Sequence, residues 1–136
     1  VAVKNPEVQP LINFNQEWTK IFGDHVPFAQ TALLVHKKIA SDYPEAVNEY
    51  LEKLENSIIW VNNNHGKAAK LIVKHEIMPD SITAVQSIPR CNLKFSQAGE
   101  EMEGIQEYFK VFYNFNPLIL GEKLPDEEFY YQKKDH

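Results

Sequence analysis

A short apolar run leading into a long amphipathic pattern limits this chain more than any other feature. The stretch runs from Val26 to Asn64, VPFAQTALLVHKKIASDYPEAVNEYLEKLENSIIWVNNN. Ala32-Leu33-Leu34-Val35 is brief, apolar and rich in branched side chains, the pattern of a strand covered on both faces. Pro27 stands just ahead, where a proline starts a strand without removing a ladder hydrogen bond. Ser41-Asp42-Tyr43-Pro44-Glu45 reads as a helix start, because the fixed φ of Pro44 suits the first helical position and its missing N–H would be an orphan there. Val47, Tyr50, Leu51, Leu54, Ile58 and Val61 recur at spacings of three and four and make one stripe, with Glu45, Asn48, Glu49, Glu52, Lys53 and Glu55 on the remaining faces. The pattern ends near Asn62-Asn63-Asn64, whose side chains compete with the helical backbone for hydrogen bonds. A strand feeding a helix that packs back on it is half of an α/β unit, so the expected fold class is α/β and helix-rich.

The flanks add helices. Val1–Gln9 reads as a loose lead-in, broken by Asn5-Pro6 and Pro10, and Pro10-Leu11-Ile12 as a short extended piece. Asn13–Phe22 predicts a helix capped by Asn13 or Asn15, with Trp18, Ile21 and Phe22 inward and Gly23-Asp24 ending it. Gly66–Glu76 predicts another, with Ala69, Leu71, Ile72 and Val73 on its apolar side. A third short helix opens at Pro79-Asp80-Ser81, turns Ile82, Val85 and Ile88 inward, and stops at Pro89. Asn92–Phe95 alternates like a half-buried strand. Ala98–Phe115 predicts a strong helix with Met102, Ile105, Phe109 and Phe112 as its stripe, flanked by Tyr108 and Phe115, and Asn116-Pro117 stops it. The aromatic tail through Phe129-Tyr130-Tyr131 reads first as a clasp across the body, and second as a contact surface for a partner segment; Lys133–His136 should fray.

At 136 residues the chain fits one domain, and neither a repeat nor a Gly/Ser-rich linker divides it. A formal net charge of −5 gives no electrostatic case for binding nucleic acid or an anionic membrane. The one cysteine, Cys91, has no internal disulfide partner. No apolar run approaches the roughly 18–20 residues of a membrane span. No secretory signal is visible either. Because the start at Val1 reads as that of a processed or truncated product, that absence does not argue for the cytoplasm.

Catalytic equipment is hard to find. None of His25, His36, His65, His75 and His136 pairs with another at the four-residue spacing of a helical metal site, and His75-Glu76 meets Pro79 where a zinc-protease motif needs a second histidine. Glu100, Glu101, Glu103 and Glu107 cluster at a helix start, where carboxylates suit the positive end of the dipole and a solvated face. Cys91 has no activating motif around it, and the chain has neither a serine elbow nor a phosphate-cradling glycine loop. Lys67, Lys70 and Lys74 form too small a basic face for nucleic acid. The residues imply no metal, no cofactor and no enzyme.

Several strings nonetheless resemble one family. They are IFGDHVPFAQTALLV, ending at Val35; Tyr43-Pro44-Glu45-Ala46-Val47 followed by Ile58-Ile59-Trp60-Val61-Asn62; Ala68-Ala69; Ile88 to Phe95; Phe115-Asn116-Pro117; and Gly121 to Tyr131. In this order and spacing they are similar to the carboxyl-terminal portion of ABC-transporter substrate-binding proteins of the nitrate, sulfonate, taurine and thiamine-precursor class. The resemblance implies a partial type II periplasmic-binding-protein lobe, a small organic solute as ligand, and an ABC permease as partner at an extracytoplasmic location. By the same resemblance, the helices of this chain pack on a sheet supplied by earlier sequence. Uncovered apolar faces would then be buried by the missing amino-terminal part of the protein or by self-association through exchanged elements. The family's hinge-proximal positions fall on Phe28, Ala29, Gln30 and Thr31. The resemblance makes Gln30 and Thr31 hydrogen-bonding groups for the ligand and Phe28 a wall; the plain alternative is that they are ordinary hinge residues. Two rival functions stay open: a biosynthetic enzyme on the same fold, and a stand-alone helical interaction domain.

Overall fold

The computed structural model describes Asn5 and residues 7–133. The expectations placed on Val1–Lys4, on Pro6 and on the last three residues fall outside that range. Six α-helices follow one another: α1 Phe14–Phe22, α2 Lys37–Asp42, α3 Pro44–Asn63, α4 His65–Lys74, α5 Ser81–Ser87 and α6 Met102–Phe115. Short 3-10 turns occupy Ile88–Arg90, Pro117–Leu120 and Glu127–Phe129.

No strand is present among the described residues, so the α/β expectation, and with it the sheet-bearing lobe, is corrected to an all-helical architecture. The reason is elementary. A strand exists only through hydrogen bonds to another strand. Ala32–Val35 has the composition of one but meets no ladder partner, and residues 27–36 have no regular structure. Leu33 and Leu34 stay 57% and 78% exposed. Asn92–Phe95 is irregular for the same lack of a partner, although the Asn62 amide donates to the Leu93 carbonyl at 2.9 Å.

Two compact units divide the chain, and the division falls within α3. The first is built on residues 48–95. Its centre is the packing of α4 on α5. Ala68 and Ala69 of α4, Ala84 of α5 and Ile88 just beyond it are buried. Alanine faces let helices approach without any large side chain between them. Asp80 caps α5, accepting from the Thr83 backbone N–H at 2.7 Å and from the Thr83 hydroxyl at 2.9 Å. The expected inner face of α5 is partly wrong. Ile88 is buried, but Ile82 and Val85 are exposed and Ala84 takes the inward position. Most of the α3 stripe is half-buried, with Tyr50 exposed.

The second unit is built on residues 12–47 and 96–133. Helix α1 begins where Asn13 accepts from the backbone N–H groups of Asn15 and Gln16, and ends at Gly23 with φ of 80°. Trp18 and Phe22 face inward as expected, whereas Ile21 is 71% exposed. Helix α2 was not foreseen. It starts at His36, whose Nδ1 accepts from the Lys38 backbone N–H at 3.2 Å. Helix α6 begins four residues later than expected, after a turn at residues 98–101, and packs on the 3-10 turn Pro117–Leu120. Asn116 accepts from the Leu118 N–H at 3.1 Å, and Gly121, at φ of 65°, closes that turn. The aromatic tail does act as a clasp: Tyr130 is only 4% exposed, and a Cβ on Gly99 would stand 3.2 Å from the Tyr131 carbonyl.

Candidate functional site

The expected site residues Phe28, Gln30 and Thr31 lie on the irregular segment that follows α1 in the second unit. Three contacts hold the start of this segment. The Trp18 indole N–H donates to the Val26 carbonyl at 3.0 Å. The Tyr108 hydroxyl donates to the Ala29 carbonyl at 3.1 Å. Between them the chain lies on α6 at Gly104, so closely that a Cβ there would stand 2.3 Å from the His25 carbonyl oxygen and 2.7 Å from Pro27 Cδ. Glycine is therefore required by space rather than by backbone angle.

Rings fill the remaining room. Phe28 is half-buried with its ring 5.4 Å from that of Trp18. Trp18 also meets Phe22 at 4.3 Å and Tyr108 at 5.1 Å, and Tyr108 meets Phe112 at 4.8 Å. Spacings and tilts of this kind are those of favourable aromatic pairs. Trp18 and Tyr108 together centre the cluster. Burial pushes the Tyr108 hydroxyl pKa up from the ordinary tyrosine value. A further line of rings runs from Phe109 to Phe129 at 6.0 Å and on to Tyr130 at 5.4 Å.

Gln30 and Thr31 are exposed and are not drawn into this cluster. The structure therefore brings Phe28 together with Trp18 and leaves the two polar candidates beyond the ring assembly. Sequence reasoning placed Tyr108 only at the flank of its helix and gave Gly104 no role. Both had a signal. A glycine inside a strong helical pattern implies a close packing partner, and rings at 108, 109 and 112 give α6 an aromatic face wider than one stripe.

Among the described residues no group of three or more His, Cys, Asp or Glu side chains is placed to hold a metal ion. His36 serves as a helix cap, Cys91 is exposed, and Glu107 of the acidic run pairs with Lys110. Lys37 and Glu128 form an ion pair at 2.6 Å that is almost wholly solvated; the hydrogen bond to Glu128 raises the lysine pKa. No described helix is long and apolar enough to cross a membrane.

Comparison with family models, with curated proteins and with solved structures found no match to this chain.

Proposed function

We propose that this chain is the carboxyl-terminal part of a solute-binding component of an ABC importer. In this reading the protein captures a small organic solute outside the cytoplasm, hands it to a membrane permease and performs no chemistry of its own. The observation that carries the reading is the apolar surface left uncovered in each unit. In the second, Leu33, Leu34 and Val35 are exposed on a segment without regular structure, and Phe115, Leu118 and Ile119 are exposed at the end of α6. In the first, Ile77, Ile82 and Leu71 are exposed beside a core of three alanines and one isoleucine. Side chains of this kind, so many and so large, mark surfaces that another segment covers. The resemblance names that segment as earlier sequence of the same protein. Gln30 and Thr31, exposed beside a firmly anchored stretch, would supply hydrogen bonds to the solute, with Phe28 as a wall.

The all-helical architecture favours one second reading, a helical interaction domain whose apolar faces cover a protein partner. One experiment separates the two. The 136-residue chain and the product of its complete reading frame are purified, sized by light scattering and dialysed against nitrate, taurine, an alkanesulfonate and an aminopyrimidine. The solute-binding reading expects the chain alone to self-associate and bind a hydrophobic dye. It expects the complete product to be monomeric, to retain one of the four solutes, and to lose it in the Gln30→Ala, Thr31→Val double variant. A compact, cooperatively unfolding monomer of 15.8 kDa that binds no dye refutes it. A complete product that retains none of the solutes and instead pairs stably with another protein supports the second reading.

A further inference from the structure

From residue 124 to residue 130 the tail of the second unit is fastened by side chains rather than by backbone pairing with another element. Its backbone hydrogen bonds are local: the Phe129 N–H donates to the Asp126 carbonyl at 3.1 Å and the Tyr130 N–H to the Glu127 carbonyl at 3.2 Å. Three side-chain features tie the stretch down. They are the burial of Tyr130, the edge-on contact of Phe129 with Phe109 at 6.0 Å, and the Lys37–Glu128 ion pair. That pair is solvated on both sides and holds little. The main anchor, Tyr130, is itself imperfect. Its hydroxyl is buried without a hydrogen-bond partner among the described residues. In an open tail water meets that hydroxyl, so closure gives up a bond that opening restores.

We propose that this stretch is a latch, which lifts from α6 as one piece while the helices of the second unit stay folded, and that the unpaired Tyr130 hydroxyl sets how readily it lifts. Two features support separate opening. The first is connectivity. Because the backbone hydrogen bonds of residues 124–130 close on themselves, lifting the stretch breaks none of the backbone bonds of α6. The second is the choice of anchor. A phenylalanine at position 130 would bury the same ring without leaving a donor unmet, so the tyrosine weakens the closed form where an apolar ring would secure it. The chain also has room to swing at the base of the latch. Gly121 stands there at φ of 65°, and a Cβ at that point would meet nothing within 4 Å. Lifting bares Phe109, whose ring adjoins that of Tyr108 at 6.2 Å, so the open form extends the aromatic face of α6 into solvent.

The test uses the whole chain and amide hydrogen exchange observed by NMR, read at Phe129 and Tyr130 with the central amides of α6 as reference. The two tail amides should exchange faster than those of α6 and respond weakly to low urea, because their opening exposes little surface. Tyr130→Phe keeps the ring and removes the unmet hydroxyl, so it should fold normally and slow exchange at both tail amides about tenfold. Phe129→Ala removes the contact with Phe109 and should speed exchange at the Tyr130 amide about two- to tenfold. The proposal is overturned if the tail and α6 exchange together with the same urea dependence, since the tail then leaves only when the whole unit unfolds. It is equally overturned if Tyr130→Phe leaves tail exchange unchanged or hastens it, or if Phe129→Ala fails to speed it. None of these outcomes bears on solute binding at Gln30 and Thr31, so the two readings fail independently.

Discussion

Substituting alanine for glycine gives opposite results at two helical positions of this chain, and the sign is set by what a single methyl group meets. Gly66 lies in the first turn of α4, and a Cβ there has nothing within 4 Å. Gly104 lies in the first turn of α6 and is buried. A Cβ there would sit 2.3 Å from the His25 carbonyl oxygen and 2.7 Å from Pro27 Cδ. At Gly66 only the backbone matters. Alanine restricts the unfolded chain and favours the helix, so Gly66→Ala should stabilise by about 0.5–1 kcal/mol. At Gly104 the same gain is opposed by a clash. Relief to an ordinary contact moves the segment at His25–Pro27 by about 1 Å, and overpacking of this kind costs about 1–3 kcal/mol. The segment is not free to retreat, since Trp18 holds the Val26 carbonyl and Tyr108 holds that of Ala29. Losing either bond adds about 1 kcal/mol. The net expectation for Gly104→Ala is a destabilisation of about 2 kcal/mol.

The two tryptophans make the assay specific, because Trp18 belongs to the second unit and Trp60 to the first. Urea unfolding followed by fluorescence in a Trp60→Phe background reports on the second unit, and in a Trp18→Phe background on the first. Gly104→Ala should lower the midpoint seen by Trp18, and Gly66→Ala should raise the midpoint seen by Trp60. If Gly104→Ala stabilises to the same degree as Gly66→Ala, the close crossing at α6 does not exist. The anchoring of Phe28 inferred from it then falls as well.

Three further expectations follow from named contacts. Asp80→Ala removes both hydrogen bonds of the α5 cap and should cost about 1–2 kcal/mol, read as a lower midpoint from Trp60; an unchanged midpoint shows the cap to be idle. Tyr108→Phe keeps the ring stack but drops the bond to the Ala29 carbonyl, so it should cost about 1 kcal/mol and speed amide exchange around residues 29–31; unchanged exchange shows that the bond anchors nothing. The hydroxyls of Tyr108 and Tyr130 both have pKa values raised by burial from the ordinary 10.0. Below pH about 10 both the folded and unfolded states keep these protons and their contribution is complete; above it the unfolded chain releases them first, and stability falls as the pH climbs through the raised folded values. Urea midpoints measured between about pH 8 and pH 11 should drop toward the alkaline end, and the Tyr108→Phe, Tyr130→Phe double variant should flatten that drop.

What the residues reveal locally and what they leave open divide along a physical line. Helix ends were legible because their causes are local. Asn13 accepting from the next turn, Pro44 at a first helical position, Asp80 capping α5 and Gly23 at positive φ each need only three or four neighbours. The face each short helix buries was less legible, because an alanine is as inward as an isoleucine when the partner helix comes close. That is how Ala84 displaced Ile82 and Val85. Helix α2 escaped notice because six residues leave no room for periodicity, and its signal was a histidine used as a cap. The candidate site shows both sides of the line. Phe28 was legible as an apolar ring, but the Tyr108 bond to the Ala29 carbonyl forms only when α6 meets a segment 79 positions earlier. A long-range bond of that kind leaves no periodic trace.

The strand expectation fails for a deeper reason, and that reason bears on function. Ala32–Val35 has β-branched and γ-branched side chains in a continuous run, which is a statement about what it can bury. Whether it becomes a strand depends on a second row of N–H and C=O groups, which no four residues can encode. Within the described residues that row is missing, and the side chains stay in water. The same property therefore appears twice, first as a wrong prediction of secondary structure and then as the exposed surface on which the proposed function rests. A polar substitution separates the two meanings. If Leu33 and Leu34 exist to be covered, replacing both by serine should relieve self-association of the isolated chain without lowering its unfolding midpoint, since neither side chain is buried here. In the longer protein that the solute-binding reading proposes, the same pair should lower the midpoint through lost burial, about 1.5–3 kcal/mol of stability for each leucine. Equal effects in both contexts would mean that nothing covers the run, and the solute-binding reading would lose the observation it stands on.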